Sequence, residues 1–195
     1  LVSVYQVYRA DVVAARKDHL QRYAAQHNER SLLQRLNAAA NALNVSVVAQ
    51  SVHPFAPHGS SGLILGGVDR DSALSSSAQL HLEQSHACAH SYPDWFGDEG
   101  RGWSRVDYSI CTCGAIGPLA ALPHLLGGHD QLAAVDLCWR GPWSNGESSA
   151  VVRDEIDGYC PSWEVVDFSQ TNRHARWILQ NRVNPSHDRE LVGRI

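Results

Sequence analysis

Ser85, His90 and Cys113 are the residues whose types and spacing first suggest chemistry. They lie in Gln84-Ser85-His86-Ala87-Cys88-Ala89-His90-Ser91-Tyr92-Pro93-Asp94 and in Cys111-Thr112-Cys113-Gly114. A serine hydroxyl beside a strained peptide carbonyl can attack it and move the acyl group from nitrogen to oxygen. Loss of the serine Cα proton then expels the ester oxygen. The dehydroalanine left behind hydrolyses to a pyruvoyl group at a new N-terminus. A base must take that proton, and His90 qualifies because its neutral form exists near pH 7. The new carbonyl can form a Schiff base with a substrate amine and serve as an electron sink when carbon dioxide leaves. The carbanion must then be reprotonated, which a thiol such as Cys113 can do.

A second chemistry competes for the same residues. His86, Cys88 and His90 alternate, so they share one face of a strand, and Cys111 and Cys113 share one face of an expected neighbour. Mixed nitrogen and sulfur ligands suit zinc, although structural zinc sites more often use Cys-x-x-Cys knuckles. A zinc site predicts an unprocessed chain; self-cleavage predicts two fragments and no metal. Taken singly, Phe55 reads as turn or core packing, Asp94 after Pro93 as a turn residue, and Tyr92 as a loop aromatic.

The elements that must position these groups follow from composition and pattern. The chain has 195 residues, 44% hydrophobic and 18% charged, which suits one domain with an appendage. A net charge of −4 with scattered Lys and Arg gives no footprint for nucleic acid or a membrane surface. No apolar stretch approaches the ~20 residues of a membrane span, and no secretory signal is legible at the start. Five cysteines, an odd number in clustered spacing, argue against a disulfide framework and for a reduced, cytoplasmic setting.

Residues 1–9 alternate and predict a strand, and 10–27 have helical propensity. Leu32, Leu33, Leu36, Ala39, Ala40 and Leu43 recur at helical spacing, predicting a helix over 31–43 with Ser31 as N-cap and Asn44 as its end. Strands are predicted over 45–52, 61–67, 80–90, 104–113 and 132–139. Pro54, Pro57 and Gly59 predict a turn, 68–79 an exposed Ser-rich excursion and 93–103 a loop. A helix is expected over 117–126 with Pro118 in its first turn. Beyond Ser144-Asn145-Gly146 the pattern suggests two short strands around Cys160-Pro161 and a helix over 171–183. The sum is an α+β fold: a two-layer protomer with a largely antiparallel sheet and helices on one face. Residues 1–144 form the domain, and 145–195 a C-terminal extension packed on it.

Three ordered blocks resemble the bacterial-type S-adenosylmethionine decarboxylase proenzymes. His53-Pro54-Phe55-Ala56-Pro57-His58-Gly59-Ser60-Ser61-Gly62 is similar to the family's His-x-Phe-x-Pro-x-Gly-x-Ser-Gly. Ser85-His86-x-x-x-His90-Ser91-Tyr92-Pro93-Asp94 is similar to Ser-His-x-x-x-His-Thr-Trp-Pro-Glu, and Thr112-Cys113-Gly114 completes the set. The resemblance covers roughly residues 1–140. It implies cleavage between Gln84 and Ser85, with Ser85 becoming a covalent pyruvoyl cofactor. His90 and Ser61 would assist processing and Cys113 would be the proton donor. Phe55 would stack on adenine, Tyr92 would take the place of a pocket tryptophan, and Asp94 that of a ribose-binding glutamate.

The resemblance further implies an αββα sandwich made when two processed protomers pair as a homodimer. The small-molecule substrate would be S-adenosylmethionine, with polyamine synthesis as the purpose. The sequence departs from the family at Gln84, where glutamate is usual, at the shorter Asp94, in insertions at 68–82 and 95–103, and in the tail from about 145. These departures leave arginine or ornithine open as substrates, and a non-catalytic homologue as a further class. An aspartate four residues before the cysteine would select Cys111 from Asp107, whereas the Thr-Cys-Gly match selects Cys113.

Overall fold

A computed structural model describes residues 1–54, 60–67, 85–96, 100–111, 118–126, 134–140, 149–171 and 174–182. Its strands are β1 (Val2–Arg9), β2 (Ser46–Pro54), β3 (Ser60–Gly67), β4 (Ser85–Phe96), β5 (Arg101–Cys111), β6 (Ala134–Arg140), β7 (Trp163–Gln170) and β8 (His174–Asn181). They form one eight-stranded sheet in the order β2-β3-β4-β5-β1-β6-β8-β7, with every neighbouring pair antiparallel. The helices are α1 (Val13–Gln26), α2 (Glu29–Ala42), α3 (Leu122–Leu126, entered through a 3-10 turn at Pro118–Ala121) and α4 (Ser149–Tyr159). None of the described helices is long and apolar enough to cross a membrane.

Alternation along the strands builds the main core. Val2 and Val4 of β1, Ala87 and Ala89 of β4, Val106 and Tyr108 of β5, and Ala175, Trp177 and Leu179 of β8 are buried together. The buried side chains of all four helices join that same cluster, so the helices share one face of the sheet. On α2, Leu32, Leu36, Ala39 and Ala40 fall on one stripe, and the two leucines are fully buried. Each such leucine is worth about 2–3 kcal/mol of transfer free energy.

Several expectations are corrected. The helix expected from Ser31 begins at Glu29, because the Asn28 side chain accepts from the Ser31 amide at 2.9 Å and is the cap. Asn44 does end it, with φ 54°. The loop expected over 93–103 is largely strand: Trp95 pairs with Trp103 and Phe96 with Gly102. Gly100, at φ 74°, turns the chain, and its carbonyl accepts from the Ala10 and Asp11 amides at 2.7 and 3.0 Å. Pro93 is tolerated inside β4 because the register shifts there, between Tyr92 and Trp95.

Residues 149–159 are helix where strands were expected, with Ile156 fully buried. The helix expected over 171–183 is β8, whose Ala175, Trp177 and Leu179 enter the core at a period of two. Pairing with β6 continues the sheet through this part of the chain. The excursion at 68–79 and the turn residues Pro57 and Gly59 lie outside the described residues.

Helix α1 docks through polar and aromatic groups rather than aliphatic ones. His19 and Tyr23 are its buried residues. Gln26 Oε1 accepts from Gln6 Nε2 at 3.4 Å, and the Tyr23 hydroxyl donates to the Arg105 carbonyl at 2.7 Å. Tyr8, His19, Tyr23 and His27 form a column of rings with successive centroids 4.2, 6.0 and 4.4 Å apart. Arg35 closes the column by donating to His27 Nδ1 at 3.1 Å and to the Tyr108 hydroxyl at 3.0 Å.

Burial pushes the pKa of His19 down to about 4, helped by Arg22 and opposed by Asp18. An unfolded histidine takes its proton near 6.5. The contribution of His19 to stability is therefore complete above about pH 6.5 and is lost progressively as pH falls to about 4, where the unfolded chain binds the extra proton. Urea midpoints measured across that window should drop more steeply for the native chain than for His19→Gln, which has no proton to take up. Parallel profiles would show that His19 does not titrate on unfolding.

Candidate functional site

The motif residues come together because β4 runs between β3 and β5. Its alternation sends Ala87, Ala89 and Ser91 into the core and leaves His86, Cys88, His90 and Tyr92 on the other face. On β5, Val106 and Tyr108 are buried in the core, while Arg105, Asp107, Ser109 and Cys111 take the alternate positions. Register then fixes the neighbours. Ser61 stands opposite His90 on one side, and Asp107 stands opposite His90 on the other. Directly opposed residues have Cβ atoms about 5 Å apart. Ser61, His90 and Asp107 thus form one row across three strands.

A second row lies beside it. Tyr92 opposes Arg105, which opposes Tyr5. The Arg105 guanidinium carbon lies 4.6 Å from the centre of the Tyr92 ring, a cation–π contact. Arg105 Nη2 also pairs with Asp107 Oδ2 at 3.1 Å. Burial disfavours the Arg105 charge, but Asp107 and the hydrogen-bonded Tyr5 hold its pKa above the ordinary arginine value. Burial pushes the Tyr5 phenol up, against the pull of Arg105. The Oδ1 atom of Asp107 is buried with no hydrogen-bond partner among the described residues, and Asp107 lies directly across the ladder from His90. Further along the face, Asp136 accepts two hydrogen bonds from Arg176, from Nε at 2.9 Å and Nη2 at 2.8 Å.

The motifs did not single out Arg105, Tyr5, Asp136 or Arg176. The available signal was Arg105 and Asp107 alternating with the apolar Val106 and Tyr108, which marks a polar strand face without saying what crosses it.

Other expected residues are placed apart or lie outside the described residues. Ser85 opens β4 opposite Gly66, five positions before His90. Asp94 lies at the β4 irregularity. Tyr92 is exposed, with its ring 6.4 Å from that of His90. Phe55 and Cys113 are outside the described residues. Cys111 is the exposed last residue of β5, opposite His86. Cys160 is buried, which pushes its thiol up to about 11 and leaves it unreactive. Among the described residues no three His, Cys, Asp or Glu side chains are grouped to hold a metal ion, although His86, Cys88, His90 and Cys111 are all among them.

No family model matches the chain. Curated relatives do. An S-adenosylmethionine decarboxylase proenzyme of Halorhodospira halophila is 28% identical over 153 residues, covering 71% of this chain and 56% of that protein. Its namesake from Pseudoalteromonas translucida is 29% identical over 136 residues, covering 64% and 50%. The one from Alkaliphilus oremlandii is 28% identical over 155 residues, covering 71% and 57%. This chain is similar to S-adenosylmethionine decarboxylase proenzymes. It spans about half the length of these curated relatives. A crystal structure of the adenosylmethionine decarboxylase from Aquifex aeolicus aligns with 96% of this chain and 93% of its own. Its identity is 13% and its TM-score 0.31, too loose a superposition to argue from.

The Asp136–Arg176 pair ties β6 to β8 at the far end of the polar face. Asp136→Asn keeps the shape but removes the charge that both Arg176 donors use. Urea unfolding should show a loss of about 1–2 kcal/mol. An unchanged midpoint would mean that solvent already screens the pair.

Proposed function

We propose that this chain is a self-processing, pyruvoyl-dependent decarboxylase acting on S-adenosylmethionine, cleaved between Gln84 and Ser85. The observation that carries the reading is the row Ser61–His90–Asp107: two motif residues far apart in sequence are opposed in register, beside a carboxylate. The site suits a group derived from Ser85. That residue is the first of β4, so cleavage before it leaves His86 and its successors paired to both β3 and β5. The sheet would hold the new N-terminus in place. The pyruvoyl group at that terminus supplies an electron-withdrawing carbonyl for the loss of carbon dioxide.

The chain's own residues do the rest. His90 takes the Cα proton of Ser85 during processing, with Ser61 and Asp107 flanking it in the ladder. Tyr92, backed by Arg105, presents an aromatic surface to the substrate, and Asp94 holds the ribose hydroxyls. Phe55 and Cys113 keep the adenine-stacking and proton-donor roles that the resemblance gives them. The small charge and the absence of a basic run favour a cytoplasmic enzyme of small-molecule metabolism.

One distance shapes the assembly. Five residues of extended strand span about 16 Å, more than a histidine side chain can reach. Within one chain, then, His90 does not serve the Ser85 of its own strand. The His90 that serves Ser85 comes from a second protomer, which makes the enzyme a homodimer with sites shared between chains. Pairing through the sheets would give the αββα arrangement.

Mixing two dead variants tests this. Ser85→Ala and His90→Ala should each fail to cleave alone. Co-expressed, they should form mixed dimers in which the Ser85-bearing chain is cut, visible as two fragments by intact mass. No fragment from the mixture would place both residues in one chain, and a cleaved Ser85→Ala chain would end the pyruvoyl reading. For the proton donor, Cys113→Ala should spare cleavage but lower kcat at least tenfold; the same loss from Cys111→Ala alone would reassign the role.

A further inference from the structure

The irregularity in β4 is held from the helix side by two buried side chains. Ser104 of β5, fully buried, donates its hydroxyl hydrogen to the Pro93 carbonyl at 2.5 Å. The same oxygen lies 2.6 Å from Nε2 of His19 on α1. A hydroxyl has one hydrogen, so with that hydrogen on Pro93 it is His19 Nε2–H that donates to Ser104 Oγ. His19 thus carries a proton on Nε2, and burial, which pushes its pKa down to about 4, keeps the ring neutral near pH 7.

The histidine ring is itself clamped. Tyr8 stacks on it at 4.2 Å with 14° between the planes. Tyr8 in turn lies over Gly102, where any Cβ would overlap its ring. Gly102, Tyr8, His19, Ser104 and the Pro93 carbonyl form one unbroken line of contacts from β5 through α1 to the bulge. Pro93 brings no N–H to the ladder, so the strand is weakest where its carbonyl most needs a partner. Tyr92 immediately precedes this point and Asp94 immediately follows it.

We propose that the His19–Ser104 relay sets the β4 bulge and thereby positions Tyr92 and Asp94 for the substrate. The proposal rests on the reading of those two residues as substrate-binding. His19 and Ser104 are on the core side of the sheet and touch no substrate, so both are positioning residues. An apolar side chain at position 104 would remove the donor to the Pro93 carbonyl, and one at position 19 would remove the donor that orients the Ser104 hydroxyl toward it. Fixing that carbonyl fixes the peptide plane from which Asp94 departs.

Ser104→Ala removes the donor to Pro93, His19→Leu removes the donor to Ser104, and His19→Gln restores an amide donor. Two readouts apply to all three: amide hydrogen exchange over 94–96, and kcat and KM of the processed enzyme with S-adenosylmethionine. Ser104→Ala and His19→Leu should speed exchange and raise KM about tenfold, with self-cleavage intact and kcat within twofold. His19→Gln should stay near the native values. Should Ser104→Ala fail to fold, the His19→Leu and His19→Gln pair decides alone. Unchanged exchange in a folded Ser104→Ala or His19→Leu overturns the relay. Faster exchange with unchanged KM, or equal losses for Leu and Gln at position 19, overturns the positioning role. A native chain that neither cleaves nor turns over S-adenosylmethionine overturns the proposed function instead, and exchange over 94–96 still shows whether the relay holds the bulge.

Discussion

β4 is hydrogen-bonded along both edges, to β3 and to β5, and that double pairing fixes the spacings within the site. A strand held on both sides cannot bend back on itself. Its residues keep their ~3.3 Å spacing and alternate between the two faces. Residues far apart in sequence are brought opposite one another across it, as Ser61, His90 and Asp107 are. Positions close in sequence along it, such as 85 and 90, are held apart by the extended backbone. The spacing that reads as one motif in the sequence is in space a separation along one strand.

The two faces of the sheet are built by different forces. Toward the helices the strands bury valine, alanine, tyrosine, tryptophan and leucine in one cluster. On the other face charge neutralisation does more of the work, through the Arg105–Asp107 and Arg176–Asp136 pairs and the Arg105–Tyr92 contact. The exception on the helix side is α1, which meets the sheet through His19, Tyr23 and Gln26. Buried polar groups of that kind are tolerated only when partnered, because an unmade hydrogen bond costs about 1–3 kcal/mol. Their geometry is correspondingly exact in direction, which an aliphatic contact is not. That is the physical ground for assigning α1 a part in shaping the β4 bulge.

The first half of the fold was legible because its signals were local. β1, α2 and the strand after Asn44 show clean periods with clear stops, and the structure places them within a few residues of the expected ends. The errors came where tertiary context outweighed local pattern. In His174–Asn181 the apolar residues satisfy a helical stripe and a strand alternation about equally, and only pairing with β6 and β7 decides between them. Pro93 and the glycines around it read as a loop, yet a register shift lets the strand pass through. Ser31 looked like a cap, but Asn28 reaches the same amide from the preceding turn.

The sequence by itself determined the residue types for the proposed chemistry and their order along the chain: Ser61, Ser85, His90 and a cysteine after β5's apolar run. It also determined the α+β class, since alternation and helical spacing are properties of single segments. Only the tertiary structure decided which of those residues are neighbours. Register across β3, β4 and β5 put Asp107 and Arg105 beside His90 and Tyr92, and α1 brought His19 to Ser104. None of these pairings leaves a trace in local periodicity, because each depends on how separate segments align, and that alignment is set by burying one face of the sheet against the helices.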